Sequence, residues 1–196
     1  MDEVSVDPFV RFAETVSRAR RGAPNDDLPM TLATVDASGR LSARVVLLRQ
    51  YDQHGFVFFT SYASRKARDL DQRASCALNF YWPWIDEQVR VEGQAVRTSA
   101  AESDAYFASR PRGHQVGAWA SRQSAVLESR AALELAYQEV DARFAGRPVP
   151  RPPFWGGYRV VPDRIEFWRA GADRLHDRLA YTRRDEKTWV VERLYP

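Results

Sequence analysis

The sequence predicts a mainly β fold with inserted helices (α+β), built on an antiparallel β-barrel. Three observations lead there. Short runs of alternating apolar and polar residues, such as Val89-Arg90-Val91-Glu92, lie between turn-rich stretches such as Asp36-Ala37-Ser38-Gly39-Arg40. Helical periodicity is inserted among these runs, with the longest helical stretch in the middle of the chain, so strands and helices do not simply alternate. No Gly-x-Gly-x-x-Gly follows a strand and no Walker-type loop is present, which argues against a doubly wound nucleotide-binding sheet.

Each element follows in order. Asp7-Pro8-Phe9 reads as a helix start, with Asp as N-cap and Pro in the first turn. Phe9, Phe12, Ala13 and Val16 then recur at helical spacing until Arg21-Gly22-Ala23-Pro24. Strands are predicted at 30–35, 41–49 and 56–61, the last after the turn at 51–55. Ser64 caps a short basic helix running to Arg73. Strands at 74–82 and 88–98 follow. The period then changes: 100–109 and 124–144 read as helices, with 112–121 a shorter helical or irregular link. Four prolines between Gly146 and Pro153 mark a loop. Strands at 158–161, 164–168, 178–182 and 189–194 close the chain. No repeat or composition shift divides it, so residues 1–196 are expected to form one domain.

Bulk properties exclude several classes. No apolar run approaches the roughly 18 residues needed to span a bilayer, so no membrane association is expected. The acidic start Met1-Asp2-Glu3-Val4 lacks a signal-peptide layout, which makes a cytoplasmic location the default. One cysteine, Cys76, allows no intrachain disulfide, and it falls in a strand where a passive buried thiol is expected. The histidines, His54, His114 and His176, lack metal-ligand spacing, so no metal site is expected. Net charge is +3, but the basic residues are scattered arginines with only two lysines, Lys66 and Lys187, so no nucleic-acid partner is expected.

Four segments carry chemistry. Ser42-Ala43-Arg44-Val45-Val46-Leu47-Leu48-Arg49 is a strand core bracketed by arginines. In Phe59-Thr60-Ser61-Tyr62-Ala63-Ser64-Arg65-Lys66 a strand runs into a helix, so hydroxyls, free backbone N–H groups and two cations converge, which suits phosphate. Tyr106-Phe107-Ala108-Ser109-Arg110-Pro111-Arg112 leads to Gly117-Ala118-Trp119-Ala120-Ser121-Arg122-Gln123-Ser124. The fourth is Phe154-Trp155-Gly156-Gly157-Tyr158, continuing to Glu166-Phe167-Trp168 and Arg174-Leu175-His176-Asp177-Arg178. Any one of them is ordinary: strand-end arginines are usually solvated and tryptophans usually core. Together they describe a planar, phosphate-bearing ligand held by side chains.

These motifs, in this order, resemble the pyridoxamine 5'-phosphate oxidases from about Asp7 to the closing Glu192-Arg193-Leu194-Tyr195-Pro196. The resemblance implies a split barrel working as a homodimer with FMN at the dimer interface, and residues from about 154 onward supplying dimerisation and active-site strands. Arg44 and Lys66, helped by Arg65 and Thr60, would hold the FMN phosphate. Phe59 belongs to the same cofactor-binding segment. Val45, Val46, Leu47 and Leu48 would lie along the flavin, with Arg49 closing that strand. Gln88, Gln123 and Ser124 would supply polar contacts, and Trp168 and Arg178 would close the site, partly from the other subunit. Tyr106 and Arg110 would meet the substrate phosphate. Arg174 and His176, with Leu175 between them, would face the substrate ring, Arg174 and His176 as catalytic residues. The implied activity is oxidation of a phosphorylated B6 vitamer, pyridoxamine or pyridoxine 5'-phosphate, to pyridoxal 5'-phosphate with oxygen as acceptor and hydrogen peroxide as product.

The sequence departs from the family pattern at Arg49, where a lysine usually touches the substrate phosphate, at His114, where a serine completes the phosphate cup, and at Arg169, where glutamine is usual. Arginine keeps the charge but changes its geometry. Histidine would bind phosphate best when protonated. Only six residues precede Asp7, a shorter arm than longer family members have. Two alternatives therefore stand beside the main reading: a related oxidase of the phenazine-biosynthesis type acting on another aromatic substrate, and a flavin-binding split barrel with little turnover.

Overall fold

The computed structural model describes residues 7–23, 27–185 and 188–196. The six-residue arm and Pro24 lie outside the described residues. Helix α1 (Pro8–Arg20) starts as expected: the Asp7 carboxylate accepts the Phe9 amide at 2.8 Å, and Pro8 opens the first turn, where no amide partner is needed. Phe9, Phe12, Val16 and Ala19 share its buried face.

Among the described residues nine strands form one sheet whose pairings are all antiparallel: β1 (Leu28–Val35), β2 (Leu41–Leu48), β3 (Gln50–Asp52), β4 (Gly55–Ser61), β5 (Ser75–Trp82), β6 (Glu87–Arg97), β7 (Trp155–Arg169), β8 (Asp177–Arg183) and β9 (Trp189–Leu194). The order is β2-β1-β5-β6-β7-β4-β3, with β8 and β9 continuing from β7. This is the predicted antiparallel split barrel. Helix α2 (Arg65–Gln72) follows β4, and α3 (Ala100–Ser109), α4 (Arg112–Ala120) and α5 (Arg130–Arg143) lie between β6 and β7. No helix among the described residues is long and apolar enough to cross a membrane.

Three local readings are corrected. The strands expected at 158–161 and 164–168 are one, β7, fifteen residues long. Pro162 cannot donate to a ladder, yet it does not end the strand. Instead Asp163 is the extra residue of a bulge: Gly93 pairs with Pro162 while Glu92 pairs with Arg164. A Cβ on Gly93 would lie 2.1 Å from the Val161 carbonyl oxygen, so only glycine fits opposite this bulge. The helix expected at 124–144 starts at Arg130, where the Ser129 hydroxyl accepts the Ala132 amide at 3.1 Å; Ser124 has a φ of +71° and lies outside it. The turn at 51–55 is tighter than expected and is flanked by the short β3.

The main core lies between α1 and the inner sheet face. Phe12, fully buried, packs on Tyr51, Phe56 and Phe80 with ring centroids 4.9, 5.0 and 5.1 Å away. Cys76 is half-buried against this core, and burial pushes its thiol up to about 12, an inert state. A second cluster, Phe107, Val116, Phe144, Val149 and Trp155, fastens the three inserted helices to the start of β7.

Because Phe12 is fully buried and meets three rings of that set, while Phe9 adds one contact to Phe56, Phe12→Ala is expected to destabilise the protein by about 3–5 kcal/mol. Urea denaturation measures it, and a loss below about 1 kcal/mol would contradict this packing role.

Candidate active site

A cleft of about 840 Å³ opens beside β2, and its lining carries Arg44, Arg49, Lys66 and Arg110 with a single carboxylate among the described residues, Asp27. The cations gather at two ends, separated by the apolar Val45, Val46 and Leu47.

At the first end, β4 runs into α2. The Ser64 side chain caps the helix by accepting the Ala67 amide. The first turn nevertheless carries Arg65 and Lys66, cations at the end of the helix whose dipole disfavours them. Arg44 adds a third. Its guanidinium donates to the Leu32 carbonyl at 3.1 Å and the Thr34 hydroxyl at 2.8 Å, and it pairs with Asp69 at 3.8 Å. Lys66 Nζ donates to Thr60 Oγ1 at 3.2 Å and Gln123 Oε1 at 3.1 Å, and Thr60 donates to the same Gln123 oxygen. Burial, then the Arg44 charge, lowers the Lys66 ammonium to about 8. Burial lowers Arg44 too, with Arg65 adding to the effect and Asp69 opposing it. Three cations gathered at the N-terminus of a helix suit an anion.

At the second end, the Tyr106 ring stacks on Phe59 at 4.0 Å and 14°. Arg110 lies over the Trp155 ring at 4.7 Å, and its Nη1 is buried with no hydrogen-bond partner. A guanidinium that lines the cleft with one nitrogen buried and unpaired suits an anionic ligand, because leaving such a group unmet is costly. Burial lowers Arg110, Tyr106 offsets this, and the neighbouring Arg49 charge adds to it. Arg49 pairs with Asp27 at 3.0 Å, and His114 lines the same end. Next to Trp155, Gly156 lets β7 approach Tyr62 closely: a Cβ on Gly156 would lie 2.1 Å from Tyr62 Oη.

The cleft thus brings together Arg44, Val45, Val46, Leu47, Arg49, Phe59, Thr60, Lys66, Tyr106, Arg110, His114 and Gln123 from the predicted set. Ser124 adjoins it, its hydroxyl accepting the Arg65 amide at 3.2 Å. The Arg65 side chain is exposed and does not line the cleft, although its charge reaches Arg44. Leu48, expected along the flavin, is instead buried in the core at the end of β2. Asp27, Asp69 and Trp155 were not singled out as site residues. Trp155 stood inside a motif with no role attached; Asp69 meets Arg44 only through the fold.

Gln88, Trp168, Arg174, Leu175, His176 and Arg178 do not line this cleft. They form a second group, at the opposite end of β7. Trp168 pairs with Gln88 on one side and Arg178 on the other. Arg178 is held by Glu166 at 2.8 Å. The His176 ring lies 4.7 Å from Trp168, and its Nδ1 accepts the Gly171 amide at 3.2 Å, which leaves Nε2 to carry the proton of the neutral ring. Arg174 projects from a turn with φ of +54° at Asp173 and +64° at Arg174, a conformation side-chain-bearing residues rarely hold. Arg174 and Leu175 are exposed.

Comparisons with known proteins bear on both groups. Residues 18–144 match the family model described as pyridoxamine 5'-phosphate oxidase, and residues 155–196 match one described as the pyridoxine 5'-phosphate oxidase C-terminal dimerisation region. The chain is 55% identical over 190 residues to the pyridoxine/pyridoxamine 5'-phosphate oxidase of Anaeromyxobacter dehalogenans, covering 97% of this chain and 96% of the relative. It is 53% identical over 195 residues to that of Rubrobacter xylanophilus, covering 100% and 89%. Among solved structures, PhzG from Burkholderia lata 383 in complex with tetrahydrophenazine-1-carboxylic acid is similar with a TM-score of 0.92 and 33% identity, covering 100% of this chain and 95% of that one. A pyridoxamine 5'-phosphate oxidase-related, FMN binding protein from Nostoc punctiforme, 18% identical with a TM-score of 0.78, shares the fold over 98% of this chain and 100% of its own.

The depressed Lys66 can be measured directly. After reductive ¹³C-methylation, the signal absent from Lys66→Arg is expected to titrate near pH 8 in the ligand-free protein. A bound phosphate dianion should raise that midpoint, so anion affinity should fall as pH rises above 8, where the free site loses its charge. A midpoint at an ordinary lysine value, about 10.4, would contradict the burial and crowding described here.

Proposed function

The chain belongs to the pyridoxamine 5'-phosphate oxidase family, and on that premise we propose that it is an FMN-dependent oxidase of pyridoxamine 5'-phosphate, pyridoxine 5'-phosphate or both, forming pyridoxal 5'-phosphate. The observation that carries the reading is a single cleft with two cationic ends, one of them holding a buried Arg110 nitrogen without a partner, on either side of an apolar strand. Two phosphates, one on the cofactor and one on the substrate, match two ends.

The residues divide the work accordingly. Arg44, Lys66 and the N-terminus of α2 would hold the FMN phosphate, with Thr60 and Gln123 fixing the Lys66 ammonium. Val45, Val46 and Leu47 would lie against the flavin ring. Arg110, Tyr106, Arg49 and His114 would hold the substrate phosphate, with Arg110 braced by Trp155. Bound FMN supplies two-electron acceptance from the substrate's 4' carbon, the electrons going on to oxygen to give hydrogen peroxide. With the amine, water completes the reaction and ammonia leaves; with the alcohol, no water is consumed.

We assign Arg174 and His176 to the substrate ring of a neighbouring subunit in a homodimer. The match of residues 155–196 to a dimerisation region supports this, as does their absence from their own chain's cleft. Arg174 would orient the ring and neutralise charge, since a guanidinium is a poor base. His176, fixed by Gly171 and Trp168, would present Nε2. A second reading, oxidation of another aromatic substrate, draws on the likeness to PhzG; the higher identity to the curated B6-phosphate oxidases favours the first.

Two measurements test this. The purified protein, supplied with FMN and air, is expected to convert at least one vitamer phosphate to pyridoxal 5'-phosphate with equimolar peroxide. No product from either, with turnover of an aromatic carboxylate, would install the second reading. Arg44→Ala is expected to weaken FMN binding by about 1.5–3 kcal/mol and riboflavin binding far less. Equal losses would place Arg44 away from the cofactor phosphate.

A further inference from the structure

The two arginines of the second cationic end are in different states. Arg110 is buried over Trp155 with Nη1 unpartnered. Arg49, on the neighbouring strand end, already has an anion: its Nη1 donates to Asp27 Oδ1 at 3.0 Å. Asp27 is the one carboxylate among the described residues lining the cleft. Both side chains keep part of their surface in solvent, 34% for Arg49 and 47% for Asp27, so the pair can open without stranding a buried charge.

We propose that Asp27 is a specificity-determining residue of this site: it serves Arg49 as an internal counter-ion that an incoming phosphate must share or displace, and so sets how strongly the cleft prefers phosphorylated ligands. The proposal rests on the reading of Arg49, Tyr106, Arg110 and His114 as the substrate-phosphate cup. Without Asp27, two guanidiniums would face the phosphate uncompensated and would hold any phosphorylated ligand, substrate or product, more firmly. With it, one arginine is pre-paired, and the repulsion between carboxylate and phosphate limits the affinity. Asp27 acts through Arg49, so its effect must depend on that residue. The pair is partly exposed, so the effect is modest.

The test uses the FMN-loaded protein and 4-deoxypyridoxine 5'-phosphate, which keeps the ring and phosphate but lacks the oxidisable 4' group, with 4-deoxypyridoxine as the unphosphorylated control. Dissociation constants are measured by equilibrium dialysis for the wild type, Asp27→Asn, Arg49→Gln and the double variant. Asp27→Asn is expected to bind the phosphorylated ligand about three- to tenfold more tightly, with the control ligand unchanged. In the Arg49→Gln background the same substitution should change nothing beyond about twofold. Asp27→Ala should shift binding in the same direction, which guards against an effect peculiar to asparagine. Unchanged or weaker binding in both Asp27 variants, or an equal gain without Arg49, would overturn the proposal while leaving the cup in place. If the wild type does not discriminate between the two ligands, the cup reading itself fails and the proposal with it.

Discussion

Strand β7 is the constraint on which the rest depends. It runs unbroken from Trp155 to Arg169, pairs along both halves with β6, and takes β4 beside its first half and β8 beside its second. The bulge at Asp163, accommodated by Gly93, lets it bend without ending. Trp155, beneath Arg110, and Trp168, against His176, therefore stand about 13 residues apart, roughly 40 Å of strand contour. One chain separates its cationic cleft from its Arg174–His176 turn. The proposed site is whole only when a second copy supplies what the first holds apart, which gives dimerisation a chemical purpose.

The cleft is arranged at some cost to local stability. Arg65 and Lys66 sit at the wrong end of α2 for its dipole, Lys66 is desolvated and crowded by Arg44, and an Arg110 nitrogen is buried unmet. These features run against local rules in one place, which is where a ligand is expected to resolve them. The strained backbone at Asp173 and Arg174 belongs to the same pattern. The supporting parts obey the rules: Asp7, Ser64 and Ser129 cap their helices, and the aromatic set around Phe12 holds α1 on the sheet.

Much of this was legible in the residues. Caps and turns marked α1, α2 and the β1–β2 hairpin because their chemistry is local, within four residues along the chain. The two expected strands at 158–161 and 164–168 were not recognisable as one because the bulge that joins them past Pro162 depends on Gly93, nearly seventy positions away. The start of α5 was misplaced because Ser124 and Ser129 are both good caps, and only the contact of Ser124 with the Arg65 amide shows which one the helix uses. At the site, the arginines, Lys66 and Tyr106 were recognisable by motif. The partners that tune them were not: Asp69 reaches Arg44 from α2, and Asp27 reaches Arg49 across the β1–β2 pair. Nor does sequence order reveal that twelve of the predicted site residues line one cleft while six others gather at the opposite end of β7.

The most direct measurement of the composite site is complementation. Arg110→Ala disables the cleft and Arg174→Ala disables the turn. Each homodimer should be nearly inactive. If the cleft of one subunit works with the turn of the other, unfolding and refolding the two variants together should restore activity, because each mixed dimer contains one site with both arginines intact. In an equal mixture about half of the dimers are mixed, so about one quarter of the wild-type activity is expected if assembly is random. Activity no higher than the average of the two separate variants, in a mixture shown to contain mixed dimers, would place the turn and cleft of each site in one chain and contradict this account.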